Sequence, residues 1–159
     1  MNAIGETGSL STQEKKLVAA YVYNIAKYTQ WPAEAFTYAE SPFKICLFGK
    51  IPEFEFVKAL ETRAVGGRSI VVAQLARSDE QLCHIIYFSP VSGDEAVLET
   101  VLQMHRFALS VGFERREGIV YLYWEHNKLR FDVDLSHLQG SGLKLSAQLL
   151  KLAANVVKE

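Results

Sequence analysis

A chain of 159 residues with 49% apolar content is long enough to bury one continuous core. Its 17 Lys and Arg against 18 Asp and Glu give a formal net charge of -1, without the basic excess that phosphate-backbone binding favours, so nucleic acid is a poor partner. No apolar run approaches the roughly 20 residues needed to cross a bilayer, and the amino-terminal MNAIGETGSLS lacks the basic start and apolar middle of an export signal.

Residues 1–10, small and polar around two glycines, read as a loose tail, and residues 11–159 as a single domain. Ser11 and Glu14 form a capping-box pattern, so the first helix is expected from Thr12 to Gln30 or Trp31, where Pro32 stops it. Val18, Tyr21, Val22, Ile25 and Tyr28 share one face of that helix. Asn24, Lys27 and Trp31 line a neighbouring face, with Tyr23 close by. Lys44 to Gly49 reads as a buried strand, followed by a helix that opens at Pro52 and runs through Leu60. The turn at Gly66 and Gly67 leads into a strand from Ser69 to Leu75. Ser78 and Gln81 suggest a short capped helix before a strand from Cys83 to Phe88. Ser92 and Glu95 repeat the capping pattern ahead of a helix to His105, and Arg106 to Val111 reads as a strand. Ile119 to Trp124 and Leu129 to Leu135, joined by a polar turn, predict an antiparallel hairpin. The spacing of Leu145, Leu149, Leu152, Ala153 and Val156 predicts a closing helix from Gly142 to Val157. Strands alternating with helices imply an α/β fold in three layers. Its sheet is mainly parallel, flanked by helices on both faces, with a C-terminal antiparallel hairpin at one edge.

Chemistry-bearing motifs are sparse. The chain has no nucleophile elbow, no zinc-binding HExxH and no phosphate loop, so no catalytic residue is assigned. Asp132 and Asp134 share a strand face without further oxygen ligands, and Cys46 and Cys83 lack a second ligand at metal spacing, so no metal or cofactor is expected. The two cysteines lie in two predicted strands, and pairing them requires Cα atoms within about 7 Å; a disulfide and two buried thiols both remain open. Gly66, Gly67 and Arg68 could present amides and a guanidinium to an anion, or form a plain turn. Trp31 divides between a core cap and a binding anchor, since tryptophan is enriched at interface hot spots.

The blocks YVYNIAKYTQWP, PFKICLFG, GGRSIVV, CHIIYFS, LRFDVDL and GLKLSAQLLKLA, in this order from about Leu17 to Ala153, resemble the YfiR-like family of bacterial periplasmic regulators. The resemblance implies a non-catalytic protein that binds the periplasmic part of a membrane-anchored diguanylate cyclase and restrains cyclic di-GMP synthesis and biofilm formation. It also implies a periplasmic location after removal of an export signal, a homodimer without direct membrane insertion, and an oxidising compartment that favours a Cys46–Cys83 disulfide. Tyr23, Asn24, Lys27, Trp31 and Arg68 are the candidate partner or ligand surface. The alternative is a small-molecule or nucleotide receptor with its pocket at the carboxyl edge of the sheet; a hydrolase with a dispersed triad ranks last. SVGFERREG, from Ser110 to Gly118, departs from the family by its shorter loop, by Gly112 in place of aspartate and by Glu117-Gly118 in place of a glycine pair.

Overall fold

A computed structural model describes residues 10–75, 82–105, 107–138 and 140–158. The expected helix signalled by Ser78 and Gln81 lies outside the described residues.

Helix α1 (Thr12–Lys27) starts where the capping box places it. The Ser11 N–H donates to the Glu14 carboxylate at 2.7 Å, and the Glu14 N–H donates back to the Ser11 hydroxyl at 3.2 Å. Its buried stripe is Val18, Ala19, Val22, Ile25 and Ala26. The helix stops before the Trp-Pro pair. The Thr29 hydroxyl donates to the Ile25 carbonyl at 2.8 Å, and Thr29–Gln30 become strand β1, antiparallel to strand β9 (Lys144–Leu145). A tertiary strand pairing thus ends the helix earlier than proline alone would.

Eight strands form the main sheet: β2 (Phe43–Leu47), β3 (Ala64–Val65), β4 (Arg68–Gln74), β5 (Ile85–Phe88), β6 (Leu109–Phe113), β7 (Val120–Glu125), β8 (Lys128–Asp134) and β10 (Asn155–Val157). Their order is β10-β8-β7-β6-β5-β2-β4-β3. The run from β4 to β7 is parallel, β7 and β8 make the antiparallel hairpin, and β10 adds outside it in parallel. His126 and Asn127, at φ 52° and 64°, supply the left-handed turn between β7 and β8.

Helices cover both faces. On one side α1, α2 (Phe54–Lys58) and α4 (Ala147–Leu152) pack on Phe43, Ile45, Leu47, Ile85, Tyr87, Leu109 and Val111. On the other, α3 (Glu95–Met104) packs Leu98 against Cys46, Ile86 and Phe88. Asp94, rather than Ser92, caps α3 by accepting from the Val97 N–H at 2.9 Å; Ser92 turns inward to serve the Ser89 N–H. The predicted C-terminal helix is instead the short α4 followed by β10. The free edge of β8 offers a ladder that recruits Asn155, Val156 and Val157, and β-branched valines suit a strand.

Strands β6 and β7 are parallel neighbours joined by only residues 114–119. A parallel connection ordinarily needs a dozen residues or more. Here the loop doubles back directly over the sheet, and a Cβ on Gly112 would lie 2.4 Å from the Arg115 carbonyl oxygen and 2.6 Å from the Phe88 ring. Absence of a side chain at Gly112 is what lets the crossover be so short.

Candidate partner-binding surface

The predicted surface residues fall into two places. Tyr23, Asn24 and Lys27 line a groove of about 540 Å³ between α1 and the α2 region, together with Lys16, Phe56 and Arg63. Its floor is Ala19, Ala20, Ala59 and Leu60. Tyr23 is fixed by its hydroxyl, which donates to the Ala64 carbonyl at 3.2 Å, and by the Arg63 guanidinium 5.2 Å from its ring. Lys16, Ala20, Tyr23, Asn24 and Lys27 follow helical spacing, so periodicity alone could have added Lys16 to the set. Phe56 and Arg63 arrive from a distant segment and carry no such signal.

Trp31 and Arg68 belong instead to an aromatic cluster at the amino ends of β2 and β5. Because α1 ends at Lys27 and the chain turns through β1, Trp31 is carried away from Tyr23 and Asn24. Its ring packs edge-on against Phe43 at 4.8 Å, and its N–H donates to the His84 carbonyl at 3.2 Å. Arg68 stacks 3.6 Å from the Phe36 ring and donates to the Ser41 carbonyl at 2.8 Å. Its guanidinium therefore closes the loop before β2 rather than standing ready for an anion.

His84 is the centre of that cluster. Its ring stacks on Phe36 at 4.3 Å and Phe43 at 5.2 Å. The Lys44 N–H donates to Nδ1 at 3.0 Å, so Nε2 carries the proton and donates to the Ala35 carbonyl at 2.8 Å. Burial pushes the imidazole below the ordinary histidine range, and the Arg68 and Lys44 charges push the same way against the favourable Ala35 bond.

The chain leaves β2 toward α2 and β5 toward α3, on opposite faces, which makes the carboxyl ends of these strands the topological switch point. The chain fills that crevice itself. Gly49, at φ 67°, lies so close to Ser92 that a Cβ would meet its carbonyl oxygen at 1.7 Å. Ser89 donates its hydroxyl to the Lys50 carbonyl at 3.0 Å. Arg115, held by Glu117 at 2.7 Å, donates across the crevice to the Gly93 carbonyl at 2.8 Å and the Ser89 carbonyl at 3.3 Å. Glu117 accordingly sits below the usual carboxylate range, chiefly through its bond to Arg115.

Cys46 and Cys83 form a disulfide with Cα atoms 5.8 Å apart, on the α3 face. On the opposite face Glu53 is almost wholly buried and accepts a hydrogen bond from the buried Tyr87 hydroxyl. Burial raises the Glu53 carboxyl above the usual range, partly offset by the Tyr87 bond, and burial with the Glu53 charge raises Tyr87 well above the ordinary tyrosine range. Asp132 and Asp134 stand on a partly exposed strand face while Phe131 and Val133 turn inward. Asp132 accepts from the Tyr123 hydroxyl at 3.0 Å, and Asp134 pairs with His137 at 3.2 Å. Among the described residues, no three His, Cys, Asp or Glu side chains converge as a metal site, and no helix is long and apolar enough to cross a membrane.

Residues 15–154 match the profile of a family described as YfiR/HmsC-like. No curated protein matches the chain.

Proposed function

The chain belongs to the YfiR/HmsC-like family, a regulatory family of the periplasm, and on that premise we propose that it binds and represses a membrane-anchored diguanylate cyclase through the cyclase's periplasmic part. Repression lowers cyclic di-GMP output and with it biofilm formation. The match over residues 15–154 carries the reading, because it spans the strands and helices from β2 to α4 rather than a local motif. The protein acts by contact and does no chemistry on its partner, and it works as a homodimer. The groove lined by Tyr23, Asn24 and Lys27 is the contact surface in this reading. The aromatic cluster of Trp31 and Arg68 supports it indirectly by fixing the loop before β2.

The receptor alternative has the filled switch-point crevice against it, since a ligand there would have to displace Arg115 from the Gly93 and Ser89 carbonyls. Calorimetry with the periplasmic domain of a diguanylate cyclase encoded beside this protein tests the proposal, with oxidised and reduced samples in parallel. Saturable binding is expected. Absence of heat in both redox states would end the repressor reading.

A further inference from the structure

The groove between α1 and α2 carries three cations, Lys16, Lys27 and Arg63, and no acid among its lining residues. Among the described residues, none of the three has a carboxylate within 4.0 Å in an ion pair. The nearby acids of the same elements are otherwise engaged or point elsewhere. Glu14 closes the capping box, and Glu61 accepts from the Val72 N–H and the Lys58 ammonium. Glu53 is buried against Tyr87, and Glu55 is exposed on α2 outside the groove. Between the cations lie the apolar floor and the faces of Tyr23 and Phe56.

We propose that this groove receives a helical, acid-bearing segment of a protein partner. The span from Lys16 to Lys27 along α1 is about 16 Å at the helical rise, or three turns of a docked helix. An apolar stripe on that helix would lie on Ala19, Ala20, Ala59 and Leu60, and its flanking carboxylates would meet Lys16, Lys27 and Arg63. Arg63 already packs beside Tyr23, so its guanidinium is held in place before a carboxylate arrives, which reduces the ordering cost of the ion pair. The neighbouring groove between α1, β8 and α4 makes the contrast. Of its two cations, Lys128 and Arg130, the second is already paired with Glu125 at 3.1 Å. The identity of the physiological partner rests on the repressor reading above; the chemistry of the groove does not.

The experiment therefore has two arms. In the first, a synthetic helical peptide of about 16 residues, with alanine and leucine on one stripe and glutamates flanking it, is titrated at low salt into isotopically labelled protein. Amide shifts are expected at Ala19, Ala20, Tyr23 and Arg63. Binding is expected to weaken with added salt and to fall at least about tenfold in the Lys27→Glu, Arg63→Glu double variant, with Lys128→Glu unchanged. In the second, the cyclase periplasmic domain is titrated against the same variants, whose folding is checked by thermal midpoint, and the double variant is expected to lose at least about tenfold in affinity. Peptide shifts elsewhere or nowhere, or equal peptide binding by the double variant, would overturn the groove proposal. So would a cyclase domain that binds wild type and double variant equally, and that result would leave the repressor reading standing. A peptide that maps to the groove beside a cyclase domain that never binds upholds the groove and removes the named partner. Phosphatidylglycerol vesicles form the last arm: vesicle binding lost in the double variant, without peptide shifts, would reassign the cations to lipid.

Discussion

His84 shows how a single side chain can hold a cluster together through its neutral form. Protonation would place a proton on Nδ1, the atom that accepts from the Lys44 N–H, and so break that bond. Its folded-state affinity for a proton is lowered, so below about pH 6.5 the unfolded chain takes up the proton first and stability falls with pH. His84→Leu leaves a buried N–H and a buried carbonyl unpaired and is expected to cost about 2–4 kcal/mol in chemical denaturation. The same variant should flatten the decline in stability between neutral and mildly acid pH. Glu53 works with the opposite sign. Its raised affinity for a proton makes the folded state more stable below its ordinary range near 4.5 and less so as pH rises through its folded value. Glu53→Gln keeps an acceptor for the Tyr87 hydroxyl without a buried charge, so its unfolding midpoint at pH 7 should rise above wild type. Neither role was legible in the sequence, because the hydrogen-bond partners that hold each side chain come from residues more than 30 positions away.

At the scale of elements, local chemistry fixed the start of α1 but not its stop. The capping box at Ser11 and Glu14 set the first residue of α1 because both bonds form within one turn. The end of α1 and the fate of residues 142–157 were decided by strands that these segments meet only in the folded chain. Helical periodicity at Leu145, Leu149 and Leu152 was real, but the ladder offered by β8 took the residues after it. The candidate site followed the same rule. Tyr23, Asn24 and Lys27 stayed together because one helix carries them, whereas Trp31 was parted from them by β1 and Arg63 joined them from another element. The short β6–β7 crossover gives a sharp test. Gly112→Ala would drive a Cβ into the Arg115 carbonyl and the Phe88 ring, and backbone cannot give way as a flexible side chain can. A loss of about 2–3 kcal/mol is expected, read from the urea midpoint.

At the scale of the whole molecule, the Cys46–Cys83 bond encloses α2, β3 and β4 in one covalent loop. With the cysteines 37 positions apart, the chain-entropy view gives about 3–4 kcal/mol of stability. Unfolding in denaturant with and without reductant should show a difference of that size. If reduction also changes binding of the cyclase domain, the bond serves the partner surface as well as the fold.

The two-stranded ribbon of β1 and β9 joins stretches from nearly opposite ends of the chain. Closing so long a loop is slow and comes late in folding. Until the last elements are made and docked, the carboxyl end of α1 lacks the clasp that the β1–β9 pairs and the Ser146 N–H to Tyr28 carbonyl bond give it. A chain that emerges amino end first thus completes this corner only after Lys144 and Leu145 are available, so a truncation before residue 144 would leave Thr29 and Gln30 without their ladder partners.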